Sequence, residues 1–176
     1  MTTFSSLGVS KDFHNALKEN QLLVPTEIQE KTIPLLLKQE TDFIGLAQTG
    51  TGKTAAYGLP ILQRIDPASE KVQALILAPT RELVQQIKKQ LFKFTKYIDH
   101  KIFVEGVYGG EKMDRQIKNL TRTTHIVVAT PGRLIDFLQR RDMFLDRVES
   151  LVLDEADRML DMGFIPQVKR IVRSTP

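Results

Sequence analysis

The sequence predicts an α/β fold: a mostly parallel sheet covered by helices on both faces. Two observations predict it. Short, continuous apolar runs alternate along the chain with longer amphipathic stretches, as in sheets whose strands are buried on both sides. A Gly-rich turn, residues 48–54, also sits between one such run and a helical stretch, which is a strand–loop–helix unit.

The elements follow in order. Helices are predicted over residues 10–20 and 27–38, the second opened by Thr26-Glu27-Ile28-Gln29, which fits a capping box. The run Asp42-Phe43-Ile44-Gly45-Leu46 is apolar enough for a buried strand, and a helix is predicted over 54–65. Strands are then predicted over 74–78, 102–107, 125–129 and 149–153, with helices over 81–96, 111–120 and 131–140 between them. Pro131 falls in the first turn of its helix, with Thr130 as N-cap. No repeat, low-complexity segment or long linker interrupts this order.

Composition narrows the function classes. The chain has 176 residues, 41 % of them hydrophobic, enough for one domain with its own core. Lys and Arg total 25 against 21 Asp and Glu, an excess that permits a nucleic-acid partner without requiring one. There is no Cys, so disulfides and thiolate metal sites are excluded, and the 3 His residues are scattered. Met1-Thr2-Thr3-Phe4 lacks a signal-peptide pattern, and no apolar run approaches the ~20 residues that cross a bilayer. A cytoplasmic protein, cytosolic or nucleoid-associated, with no membrane association is expected.

The turn Ala47-Gln48-Thr49-Gly50-Thr51-Gly52-Lys53-Thr54 reads as a phosphate-binding loop. A strand, a Gly-rich turn and a helix in that order wrap backbone N–H groups around an anion. Lys53 would carry charge to the β- and γ-phosphates, and the Thr54 hydroxyl could hold Mg²⁺. Ala47 occupies the place of the usual first Gly. A flexible Thr/Gly linker is the competing reading, and the flanking strand and helix disfavour it. The run Ser150-Leu151-Val152-Leu153 ends in Asp154-Glu155-Ala156-Asp157. Acids at the carboxyl end of such a strand meet the ligand crevice of an open α/β sheet. Asp154 could then hold Mg²⁺ through water, and Glu155 could orient or deprotonate an attacking water. Alone, either acid would read as a helix N-cap.

Together these blocks resemble the DEAD-box RNA helicases. Pro79-Thr80-Arg81-Glu82-Leu83 is similar to the family's motif Ia, Gly109-Gly110 to its GG motif, and Thr130-Pro131-Gly132-Arg133 to its motif Ib. Pro25-Thr26-Glu27-Ile28-Gln29 resembles the adenine-reading Q motif, with Phe4 in the place of the isolated upstream aromatic. The resemblance runs from Phe4 to about Val172. It implies a three-layer RecA-like P-loop domain, with residues 1–39 as the Q-motif region and leading helices, and residues 40–176 as the ATP-binding domain compacted with them.

The resemblance also implies roles. Phe4, Gln29 and residues Gln48, Thr49, Gly50, Thr51, Gly52, Lys53 and Thr54 would bind ATP, with Mg²⁺ at Thr54 and Asp154. Lys53, Asp154 and Glu155 would serve catalysis. Pro79, Thr80, Arg81, Gly109, Gly110, Thr130, Gly132 and Arg133 would face the RNA backbone, with little sequence specificity. Taken singly, Arg81 and Arg133 could equally be ordinary surface residues. Spacing alone favours the capping role for Gln29, whereas the family has this amide read adenine. Two departures weaken the Q motif: Gln21 replaces its usual Gly and Leu22 its common stacking aromatic.

In the family a further strand and a second RecA-like domain, bearing arginine fingers, would follow residue 176. The chain is therefore expected to be the amino-terminal domain of a longer ATP-dependent RNA helicase. By itself it would be nearly inactive and prone to self-associate, with one central strand missing. A non-enzymatic ATP-dependent RNA clamp or scaffold, and a P-loop ATPase acting on protein or DNA, are the alternatives.

Overall fold

A computed structural model describes all of residues 1–176. In chain order, a single 3-10 turn at Lys11–Phe13 leads into α1 (His14–Glu19), α2 (Glu27–Lys38) and α3 (Lys53–Arg64). There follow β1 (Ala74–Leu77), α4 (Arg81–Phe94), β2 (Val104–Val107), α5 (Met113–Leu120), β3 (Ile126–Ala129), α6 (Pro131–Gln139), β4 (Ser150–Leu153), α7 (Ala156–Asp161) and α8 (Ile165–Val172). No helix is long and apolar enough to cross a membrane. The chain divides into two compact units: Met1–Ile65 with Gln90–Lys101, and Asp66–Lys89 with Ile102–Pro176.

The first unit is helical. Its core takes Phe13, Ala16 and Leu17, Ile33 of α2, and Ala55, Ala56, Leu59 and Leu62 of α3. Gly58 lets the end of α4 approach α3, because a Cβ there would lie 2.9 Å from Leu91 Cδ2. Gln63 ties down the chain's beginning: its Oε1 accepts from the Ser10 N–H at 2.8 Å, and its Nε2 donates to the Gly8 carbonyl at 3.0 Å. α1 ends in a Schellman motif, with the Gln21 N–H on Lys18 O and the Leu22 N–H on Leu17 O. That motif puts Gln21 at φ +59°, the left-handed region where a side chain is strained.

The second unit holds one four-stranded sheet in the order β2-β3-β1-β4, with every pairing parallel. β1 and β3 are buried throughout. Leu75, Leu77, Val127 and Ala129 join Leu134 and Phe137 of α6, Met159 of α7, and Val168 and Ile171 of α8 in one core. Gly106 of β2 approaches α4, where a Cβ would lie 3.4 Å from Val84 Cγ1. Helices therefore cover both faces, the three-layer α/β arrangement expected.

Two features depart from the expectation. Residues 42–46 form no strand, and they are exposed rather than buried, Ile44 at 90 % and Leu46 at 92 %. A strand exists through its ladder, and no segment of this chain pairs with this one. Correspondingly β4 is an edge strand, only partly buried along its length. The second departure is an addition: α7 and α8 follow the acidic residues, where no helix was predicted.

Candidate nucleotide and nucleic-acid sites

Three groups of residues carry the chemistry. The first is in the helical unit, where α3 starts directly from the Gly-rich turn. Gly52 caps the helix at φ +84° and Gly50 lies at φ +81°. Both are left-handed, so the turn closes without a Cβ penalty and presents its backbone at a helix N-terminus. Lys53 is the first helical residue, with Thr54 next to it, and Thr51 Oγ1 braces the turn by donating to Gln48 O at 2.6 Å. This cradle fits a phosphate chain.

Gln29 is completely buried, and it does what the capping box requires. Its Oε1 accepts from the Thr26 N–H at 2.9 Å. It also does something the sequence did not show: its Nε2 donates to the Gly52 carbonyl at 3.1 Å, fixing the phosphate turn to the start of α2. Thr26 Oγ1 adds a second tie by donating to Thr51 O at 2.8 Å. Gly52 is thus required twice, since a Cβ there would lie 2.3 Å from Gln29 Nε2. Beside these ties an open pocket of about 390 Å³ is lined by Thr26, Ile28, Lys31, Leu46, Gln48 and Thr51. Phe4 does not line it and is only 4 % exposed, within the core of its unit. Leu22, at the position of the missing aromatic, is half-buried.

The second group ends β4. The Asp154 N–H donates to Leu77 O at 2.9 Å, carrying the β1–β4 ladder one step past the strands, and Asp154 is buried. Glu155 occupies the N-cap position of α7, yet its side chain makes no capping hydrogen bond. Its backbone is left-handed, φ +50° and ψ +50°, a costly conformation for a residue with a side chain. Glu155 Oε2 instead accepts from Arg158 Nη1 at 3.3 Å. The simple capping reading of this acid therefore fails, and the strain marks it as a functional candidate.

The third group lies on the sheet unit at the ends of β1, β2 and β3. Thr80 caps α4, its Oγ1 accepting from the Leu83 N–H at 3.2 Å, which leaves its own hydroxyl hydrogen to donate elsewhere. Arg81 is exposed, with its guanidinium carbon 5.2 Å from the centre of the Tyr108 ring. Gly109 and Gly110 are exposed, and a Cβ at Gly110 would lie 3.1 Å from Arg81 Nη1. Thr130 is the N-cap of α6, Pro131 is in its first turn, and Gly132 faces open space. Arg133 Nη1 donates to the Glu111 carbonyl at 3.2 Å. The Glu111 carboxyl is held below the usual carboxylate range, first by the Gln116 amide hydrogen bond and further by nearby Arg115, the Tyr108 hydroxyl and Arg81. Of the eight residues expected here, Pro79 is buried. Tyr108, Glu111 and Gln116 join the group without having been foreseen.

The family model described as DEAD/DEAH box helicase matches residues 26–176. The ATP-dependent RNA helicase CshA of Listeria monocytogenes is 49 % identical over 176 residues, all of this chain and 33 % of the relative. The chain thus spans about a third of the length of the curated relatives it matches. The crystal structure of a DEAD box protein from Methanococcus jannaschii superposes with a TM-score of 0.94 at 36 % identity, covering 100 % of this chain and 47 % of that one. The structure of a Saccharomyces cerevisiae Dbp5 variant bound to RNA and ADP BeF3 gives 0.89 at 34 % identity, covering 100 % and 44 %.

Proposed function

Since the chain belongs to the DEAD/DEAH box helicase family, we propose that it is the amino-terminal ATP-binding domain of a longer ATP-dependent RNA helicase. The observation that carries this reading is the turn at Gly50 and Gly52, seated on α3 with Lys53 at its first position. In this proposal the turn, Lys53 and Thr54 hold the phosphates of ATP, and Gln29 reads adenine. Gln29 Nε2 and Oε1 each engage one protein partner, and the amide keeps a second hydrogen and a second lone pair; because the side chain is completely buried, reading the base requires it to become accessible when nucleotide binds. Thr54 and Asp154 each carry an oxygen suited to Mg²⁺, an ion whose charge would offset that of the phosphates. Glu155 orients the attacking water and takes up its proton.

RNA is the proposed partner of the third group. Arg81 and Arg133 meet phosphates, while the Thr80 hydroxyl and the amino-terminal end of α6 supply further donors. None of these groups reads base edges, so little sequence preference is expected. A second RecA-like domain of the longer protein would supply positive charge to the γ-phosphate, and the location is proposed as cytoplasmic. By itself the chain should hydrolyse ATP poorly, because a missing arginine finger costs about 10³–10⁵ in rate. The clamp or scaffold reading has no observation of its own in its favour.

The test is Lys53→Ala in the longer protein. Titration calorimetry should show Mg·ATP binding lost or greatly weakened, and RNA-stimulated phosphate release should disappear. An unchanged nucleotide dissociation constant in the folded variant would contradict the proposed site.

A further inference from the structure

The third group contains a residue that neither its motifs nor the proposal employs. Tyr108 precedes Gly109-Gly110 and is fixed from several sides. Its ring rests against Gly106, where a Cβ would lie 3.1 Å from Tyr108 Cε1, so a larger residue there would push the ring from this place by a few tenths of an ångström. Its hydroxyl accepts from Gln85 Nε2 at 3.2 Å, one turn along α4 from Arg81. Its carbonyl accepts from the buried Gln116 amide at 2.8 Å. On this seated ring lies the Arg81 guanidinium, with Gly110 alongside.

We propose that Tyr108 is a positioning residue for RNA binding: its ring holds the Arg81 guanidinium beside Gly110, ready for a backbone phosphate. The inference rests on the reading that Arg81 faces RNA. An exposed Arg otherwise gives up rotamer freedom each time it engages a phosphate. A guanidinium already lying on an aromatic face has surrendered much of that freedom beforehand, so less is lost on binding. The same contact argues against Tyr108 as a platform for a base, because Arg81 already covers the ring. Gln85 and Gly106 act one step further back, by seating the ring itself.

The experiment is a double-mutant cycle in the longer protein, read as the dissociation constant for single-stranded oligouridylate across a salt series with a non-hydrolysable ATP analogue. Arg81→Ala should weaken binding and lower the salt slope by roughly one phosphate contact. Tyr108→Leu should weaken binding by about 2–5-fold, the scale of one exposed cation–π contact. In the Arg81→Ala background Tyr108→Leu should change nothing further. An equal loss in both backgrounds would overturn the positioning role, because Tyr108 would then act on RNA directly or through the fold. No effect of Arg81→Ala would instead overturn the RNA-face reading beneath it. Should Tyr108→Leu fail to fold, Tyr108→Phe and a ring-fluorinated phenylalanine keep the shape. Affinity should fall with fluorination, which withdraws electron density from the ring face, and equal affinities would refute the proposal.

Discussion

Replacing Gln29 by Ala separates two roles that the structure superimposes on one side chain. The substitution removes two hydrogen bonds, from the Thr26 N–H and to the Gly52 carbonyl. At about 1 kcal/mol each, the loss is roughly 2 kcal/mol before any cavity term. For a protein of this size that lowers the melting temperature by roughly 4–8 °C. The cap and the tie to Gly52 together account for that much. The second tie has a further consequence: with the Gly52 carbonyl released, the phosphate turn is no longer held to α2, so nucleotide affinity should also fall. If the amide reads adenine, the preference for ATP over GTP should shrink by about tenfold, because guanine offers O6 where adenine offers the N6 donor. Calorimetric titration of both nucleotides into both proteins, beside thermal melts, measures all three quantities. A lower melting temperature with the ATP-to-GTP ratio intact would leave Gln29 as a helix cap and a brace of the turn, and would refute its base-reading role.

Glu155→Gln in the longer protein should leave nucleotide affinity nearly unchanged and block hydrolysis, since an amide cannot accept the water's proton at neutral pH; single-turnover rates within about threefold of wild type would remove the base role. Gln21→Gly should raise the melting temperature by about 1–4 °C, because relief of left-handed strain exceeds the added freedom of the unfolded chain, whereas Gln21→Ala should give no gain. The chain by itself should self-associate through the open edge of β4, and Val152→Lys should shift its gel-filtration profile toward monomer; an unchanged profile would place the association elsewhere.

Most elements were legible because their signals are local. The period of apolar residues located α2 to α6 to within a few residues, and Thr130 and Pro131 marked the start of α6. α7 and α8 are short, with 6 and 8 residues, and gave weaker signals. Even so, Pro166 in a first turn and the buried pair Val168 and Ile171 at helical spacing could have revealed α8. In the functional groups, residue types were legible and their ties were not. Gln29 and Gly52 are 23 residues apart, and nothing in either motif says that one amide would hold the other's carbonyl. Arg81 and Tyr108 meet only because β2 ends near the start of α4.

Residues 42–46 show where a sequence pattern stops determining structure. Phe43, Ile44 and Leu46 are as apolar as Ile126, Val127 and Val128, and both runs read as buried strands. One is buried to 0 % exposure between two parallel neighbours, while in the other Ile44 stays 90 % exposed. Composition states what a segment could bury. Whether it does so depends on a ladder that another segment must supply. A parallel ladder cannot come from the adjacent chain, because each crossover consumes a dozen residues or more. The apolar run before the phosphate turn therefore carries an unmet pairing requirement, and β4 at the sheet's edge carries another. Unpaired apolar edges of this kind are costly in water and attract further strands. The same feature thus explains the one strand that fails to form and the expected self-association, without appeal to any defect in the phosphate turn, whose geometry is set by Gly50, Gly52 and Gln29.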